Sequence, residues 1–596
     1  MKTKRVFSNS REGVLSLQKK NVKIRYLKTS SPELILRPIE GVETISMGNK
    51  NDKILLHLMD LMVPISEEIF LDCTKRKLSN NFSALITFEI YSLFRKLNYL
   101  ISLTNEEIDS KDNLLIDIIY QKDSIHLKTK NPLHTIFTNK LENKKIISTK
   151  KKKERNLSKI ELFRTTTVKE LEFYFWNKVS KFYPKFLSKG TILHNRYSSL
   201  LSESLINLAR DGYRLQKVDL PEINATEIDE EIISFLNKIV IKKVTTLLVK
   251  YLGKKKGKIL EKIFYNDIFD SLSLYFGAKK YWETQLHYFK SIKTQAFCHS
   301  FIIGPIWHAL AETLSRNKII ICSFQHGHGK EFSEVPSYSK TYNEMVSSDL
   351  YFCYSNKSAL VSQNNKNSMG KAYPVGLPYF YNFKHNFFLD SLEKTKFMYV
   401  STCLYSTYIM GIQTLSWSDV KKADVEISII ENILSRIDDK CIYKAYPVES
   451  NLENELIENK VKKYKNLIYT DISYDLNIIK NHSDVLITSR ATSTLGWCLA
   501  SGKPVIFINY NDHYSVTDEF KVDAINSFFY FEFNEKNFNK KILNLLNKSI
   551  EEIISEWDLM KDKREILWEK YFAVDSFNKK SEAGKRVCEI IKKEIS

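Results

Sequence analysis

Residues 483–509 read SDVLITSRATSTLGWCLASGKPVIFIN. An apolar run ends at Thr488-Ser489-Arg490, and a helical stretch with Leu495, Cys498 and Leu499 on one side follows. Gly502-Lys503-Pro504 stops that helix, and a second apolar run, Val505 to Asn509, resumes. Strand, helix and strand in so short a span predict a parallel sheet covered on both faces.

The same alternation extends outward. TQAFCHS (294–300) reads as a strand, IIGPIWHALAETLSRN (302–317) as a helix and KIIICSFQHG (318–327) as a buried strand. Short strands follow at DLYFCYS (349–355) and KAYPVGLP (371–378). The pattern restarts at KFMYVSTC (396–403). It continues through helix 424–437, strands 440–447 and 466–470, and helix 473–482, and closes with helices from 536. The expected fold class is α/β, with two Rossmann-like doubly wound domains facing a cleft. Ligands of such sheets bind at the carboxyl ends of the strands. Residues 1–150 read as an N-terminal extension, 151–390 as an α/β domain with a helical insertion, and 391–596 as the second Rossmann-like domain. Residues 158–295 read as largely helical, interrupted by GKKKGK (253–258).

Composition narrows the class. Of 596 residues, 43% are hydrophobic and 27% charged, which is ordinary for a soluble globular chain and excludes a disordered one. The 8 cysteines form no C-x-x-C pair, against a disulfide framework or a structural zinc site. The start has positive charge without an apolar core behind it, so no secretory signal is expected. No apolar run is long enough to span a bilayer. The expected location is cytoplasmic, with peripheral association at the inner membrane. The net charge of +20 suits an anionic surface or a phosphorylated substrate, and a lysine-rich proteome bias explains it equally. The basic run NKKIISTKKKKER (143–155) lacks interleaved aromatics and reads as a solvated linker, so no nucleic acid partner is expected.

Three constellations carry chemistry. At Ser489, Arg490, Thr492, Ser493 and Thr494 a strand runs into a helix start, where free backbone N–H groups, hydroxyls and a guanidinium suit a phosphate. The same residues would equally serve a capped helix packed on the core. Lys444, Tyr446 and Pro447 end a strand at the same sheet edge, where a nucleotide would lie. The third is ICSFQHGHGKEFSE (321–334). Gln325, Gly327 and Gly329 build a loop whose backbone can approach a ligand closely. Of His326 and His328, one is expected to face the cleft as a candidate general base while the other turns away. Glu331 and Glu334 are further candidates for a base or an orienting partner. H-x-H without a third ligand at suitable spacing is a poor zinc site, so no metal is expected.

FQHGHG, YPVGLP, KAYPVES and VLITSRATSTLGWCLASGKPVIF, over roughly 280–530, resemble GT-B glycosyltransferases of bacterial surface and capsular polysaccharide assembly. The likeness is to Kdo transferases and to surface-carbohydrate transferases with a Gln-His-Gly motif. It implies a nucleotide-sugar donor as substrate, CMP-Kdo-like, with no separate cofactor, and a glycan or lipid-linked acceptor. Tyr446-Pro447 stands where those transferases carry His-Pro against the nucleotide, and Gly496 and Cys498 lie where many relatives carry a ribose-binding Glu. No Asp-x-Asp stands at a strand end of the second domain, in keeping with metal-independent catalysis. The alternatives are a teichoic-acid-type polyol phosphotransferase, a nucleotide-sugar 2-epimerase and a basic scaffold without activity.

Overall fold

A computed structural model describes residues 4–8, 11–29, 31–46, 52–102, 114–117, 146–147, 168–184, 187–195, 198–300, 302–334, 344–365, 368, 370–378, 392–402, 404, 419–446, 454–470, 476–511, 515–577 and 581–596. The described strands lie in three sheets whose pairs are all parallel. In the first, β1 (Lys4–Ser8), β2 (Ile24–Thr29), β3 (Glu43–Ser46), β4 (Leu114–Asp117) and β5 (Ile146–Ile147) run in the order β3-β2-β1-β4-β5. The second comprises β6 (Thr191–Asn195), β7 (Arg214–Lys217), β8 (Thr294–His299), β9 (Ile320–Phe324), β10 (Leu350–Cys353) and β11 (Lys371–Pro374). Its order is β11-β10-β9-β8-β6-β7, reversing between β6 and β8. The third has β12 (Thr395–Val400), β13 (Cys441–Lys444), β14 (Leu467–Thr470), β15 (Ser483–Ser489), β16 (Val505–Asn509) and β17 (Phe529–Glu532) in the order β14-β13-β12-β15-β16-β17. That is the Rossmann order, reversing between β12 and β15. The second and third sheets are the two Rossmann-like domains expected of the GT-B layout.

Burial explains the sequence pattern. Every residue of β16 is buried, as is nearly all of β15, because helices cover both faces. The strands β6 and β7 fall inside the stretch that reads as helical. They span five and four residues, too few for a period-two signal to stand out between helices. GKKKGK is a kink: the 50-residue helix Lys242–Ser291 breaks at Gly253, whose φ is 80°. The run 143–155 is not wholly linker, since Ile146 and Ile147 pair with β4.

The N-terminal part also covers the domain of the second sheet. Helices Asp52–Lys75 and Asn80–Ser102 share a core with the long helix and with helix Pro305–Arg316, through Leu58, Leu85, Ile90, Ile263, Leu272 and Leu310. At the other end, helix Ala583–Ile595 returns to the second sheet's side. Gly584 lies against Glu203 of helix Ser199–Arg210, and Lys592 pairs with Asp211 at 2.5 Å. A single apolar cluster joins both Rossmann-like domains, with Phe324 and Phe352 from one and Met398, Leu486 and Leu495 from the other. Among the described residues, no helix is long and apolar enough to cross a membrane.

The seat of the long helix can be tested at Gly277. A Cβ there would stand 2.2 Å from the carbonyl oxygen of Asn224. Alanine improves helix propensity by about 1 kcal/mol, but forcing a backbone shift costs about 1–3 kcal/mol. Gly277→Ala should therefore lower the melting temperature; an increase would show that the helix does not press on residues 223–224.

Candidate active site

The loop after β9 meets the helix start after β15. Gln325 closes the loop from inside: its Nε2 donates to the Gly327 carbonyl at 2.9 Å and to Glu331 Oε1 at 2.5 Å. Its Oε1 accepts from Tyr354 N and from Ser358 Oγ, each at 2.9 Å. Glu331 Oε2 accepts from Gly329 N at 2.8 Å, where φ is 136°. Glu331 is thus buried and committed to the loop, which corrects its reading as an open base. Glu334 is exposed, but its carboxylate bonds the Ser515 hydroxyl.

The two histidines go opposite ways. His328 is buried, and its Nε2 lies 3.0 Å from the Phe572 carbonyl. A carbonyl only accepts, so the proton sits on Nε2. The ring packs between Tyr354 and Phe572, at centroid distances of 4.9 and 5.3 Å. A Cβ on Gly496 would fall 2.3 Å from His328 Nδ1, so glycine stands at 496 because the imidazole occupies that space. His328 is therefore packed away from solvent, a correction to its candidacy as a catalytic group. Burial lowers its pKa, against a smaller upward pull from Glu331.

His326 is exposed to solvent yet crowded by protein, as a side chain on a cleft wall is. That crowding lowers its pKa, and the Glu344 carboxylate opposes the shift. Glu344 is a residue that sequence reasoning missed. Its Oε1 accepts from His326 N at 3.1 Å, and its Oε2 meets Lys330 Nζ at 2.5 Å and Tyr351 OH at 2.6 Å. Nothing in a loop sequence marks a carboxylate that far from the motif.

On the facing side, β15 ends in a left-handed residue: Arg490 has φ 69°, a conformation that non-glycine residues seldom adopt. Its N–H still donates to the Ile508 carbonyl at 3.1 Å, and Thr492 N donates to the Arg490 carbonyl at 2.8 Å. The turn breaks strand alternation, so Ser489 and Arg490 both face a cluster of tyrosines. Ser489 Oγ lies 3.3 Å from Tyr399 OH, and the Arg490 guanidinium lies 5.9 Å from the Tyr510 ring centre. Arg490 is only 2% exposed, and Ser489 and Thr494 are buried too. The expectation of an open guanidinium clamp is thus corrected: the charge stands behind the turn, while Thr492 and Ser493 are half-exposed in front of it. Ser493 faces the loop, and a Cβ on Gly327 would come 3.0 Å from Ser493 Cβ.

A second missed residue lies beneath. Glu426, fully buried on helix Asp419–Asn432, accepts from Ser401 Oγ and Tyr443 OH at 2.6 Å each and from Tyr399 OH at 3.0 Å. Burial first, and this carboxylate second, push both tyrosine hydroxyls well above their usual pKa, so they remain donors. The signal was available: a glutamate on the same helix face as the buried Ala423 and Ile430. Lys444 does not reach a ligand position, since it is buried with Nζ 2.5 Å from the Ala445 carbonyl. Tyr446 is partly exposed beside it, and Pro447 lies outside the described residues. Among the described residues, no group of three or more His, Cys, Asp or Glu is disposed to hold a metal ion.

The loop is also fastened across the domains. Ser333 pairs with Val516 in an antiparallel bridge, Thr517 N donates to the Phe332 carbonyl at 2.8 Å, and Glu334 N donates to the Ser515 carbonyl at 2.9 Å. Phe332 packs on Phe520 and Phe572 at 4.8 and 5.2 Å.

No family model and no curated protein matches the chain. Solved structures similar to it include the UDP-GlcNAc 2-epimerase of Methanocaldococcus jannaschii, 13% identical over 68% of this chain and 99% of that one, with a TM-score of 0.36. MurG of Acinetobacter baumannii is 10% identical over 68% and 99%, with a TM-score of 0.34. Anabaena Alr3699/HepE, in complex with UDP-glucose, is 9% identical over 68% and 99%, with a TM-score of 0.37. At such identities and TM-scores these likenesses carry no weight for activity, and the fold rests on the strand orders of the chain itself.

Two measurements check this geometry. Gly496→Ala must displace the His328 ring, so a stability loss of about 1–3 kcal/mol is expected in chemical denaturation; an unchanged midpoint would mean the ring is not seated there. The pKa of His328 is lower in the folded state than in the unfolded one. Its contribution is therefore complete above the ordinary histidine value and is lost as pH falls from about 6.5 toward the lowered one, at about 1.4 kcal/mol per pH unit. His299 and His308, driven by burial to about 3, add to the same acid sensitivity. His328→Phe should lower stability at neutral pH but flatten its slope between pH 6.5 and 5. An unaltered slope would contradict a neutral, buried imidazole.

Proposed function

We propose that this protein is a glycosyltransferase that moves a sugar from a nucleotide-sugar donor to a bacterial surface polysaccharide or lipid-linked glycan. The observation that carries the reading is the placement of His326. It is the solvent-facing histidine of the Gln-His-Gly loop, its pKa is held down, and it stands where the carboxyl edges of two Rossmann-like sheets meet. The donor lies across the third sheet at its switch point, with its phosphates before Thr492 and Ser493 and the nucleoside toward Tyr446. Arg490 contributes positive potential from behind the turn, and the Ser493 hydroxyl with the N–H groups in front makes the contacts.

His326 is the general base. A lowered pKa keeps the imidazole neutral at neutral pH, so it can take the proton of an acceptor hydroxyl. That oxygen bonds to the anomeric carbon as the bond from this carbon to the phosphate oxygen breaks, and the nucleotide leaves with the electron pair. Glu344 holds the His326 backbone and tempers the pKa shift. The donor proposed is CMP-Kdo-like, on the motif resemblance.

Two experiments test the reading. Thermal shift with CMP-, UDP-, GDP- and CDP-linked donors should show stabilisation by one nucleotide class, since binding to the folded state alone raises stability by mass action. Stabilisation only by a CDP-linked polyol would favour phosphotransfer instead. With the donor identified, His326→Ala should cut turnover by about 10²–10⁴ while leaving donor affinity nearly unchanged. Near-normal turnover would remove His326 as the base.

A further inference from the structure

The helix Val168–Lys181 presents two apolar faces. Its inner face holds Phe173 and Ser180, both buried, and Ser180 Oγ accepts from Leu215 N at 3.2 Å. On the outer side Leu171 (45% exposed), Tyr174 (55%), Phe175 (58%), Lys178, Lys181 and, just past the helix end, Phe182 (83%) recur at three- and four-residue spacing. That spacing gathers them into one stripe along the helix. Leu187 (69%) and Lys189 are exposed just beyond it. Soluble proteins scatter single exposed apolar residues, but a contiguous aromatic stripe marks a contact surface.

We propose that this stripe docks the protein on an anionic membrane surface. Aromatic rings with lysines between them fit the headgroup boundary, where rings enter the interface and ammonium groups meet lipid phosphates. Among the described side chains no acidic one interrupts the stripe, and Glu172 turns aside to pair with Arg210. The net charge of +20 draws the chain toward the same kind of surface. A second copy of the same cationic face offers no negative charge to complement Lys178 and Lys181, whereas lipid phosphates do. This surface is independent of the proposed reaction, since none of its residues belongs to the candidate site.

The test is co-sedimentation of the full chain with phosphatidylcholine vesicles, with and without phosphatidylglycerol. Binding is expected only to the phosphatidylglycerol vesicles, and less of it at high salt. Phe175→Ser with Phe182→Ser should reduce partitioning at least about tenfold, as expected for two rings losing apolar burial. Lys178→Glu with Lys181→Glu should also reduce it about tenfold or more, and it deletes no apolar contact should the first pair fold poorly. Wild-type protein that sediments with neither vesicle, or variants that sediment as wild type does, would overturn the proposal. So would a concentration-dependent dimer that the phenylalanine variants dissolve in the absence of vesicle binding.

Discussion

The histidine ring of His328, seated in the space that Gly496 leaves open and donating to the Phe572 carbonyl, ties three parts of the chain together. The loop after β9, the helix after β15 and the C-terminal segment all converge on one imidazole. A buried neutral ring can meet all three because it has a flat apolar body and one directed N–H. With that ring fixed, Gly327 is held against Ser493, and His326, two residues away, faces out. The geometry of the candidate site thus follows from a packing contact more than from any contact with solvent.

The opposite wall is set by charge. Arg490 and Glu426 are both buried around the same tyrosines, and burying either charge alone would be costly. Hydroxyl donors from Tyr399, Tyr443 and Ser401 satisfy the carboxylate, while the left-handed turn at 490 brings the guanidinium inward. The strained backbone holds because the β15–β16 ladder and the short helix behind it fix both ends. The positive charge of Arg490 is thus held still behind the turn, with Ser493 half-exposed in front of it.

Both walls are clamped to one another. The bridge at Ser333 and Val516, the shared apolar cluster and the returning C-terminal helix leave the two Rossmann-like domains in contact next to the site. The N-terminal helices and the long kinked helix build a broad second core on the other side of the β6–β11 sheet, away from this junction.

The strands and helices of the two Rossmann-like domains were legible in the sequence, because burial on both faces writes continuous apolar runs such as Val485–Ile487 and Val505–Ile508. The divergence of His326 and His328 was not legible, since strand alternation puts residues two apart on one face; the chain has left β9 after Phe324, and packing decides which ring faces solvent. The short strands β6 and β7 were not legible, since a few residues between helices carry no period. Nor were Glu344 and Glu426, whose roles depend on neighbours 18 and 25 residues away in the chain. Arg490 shows the limit most clearly. Residue type and position predicted a phosphate clamp, but a single left-handed dihedral turned the side chain into the core. Sequence determines which residues are apolar and in what period; where a polar side chain ends up depends on backbone dihedrals and distant partners that only the folded chain brings together.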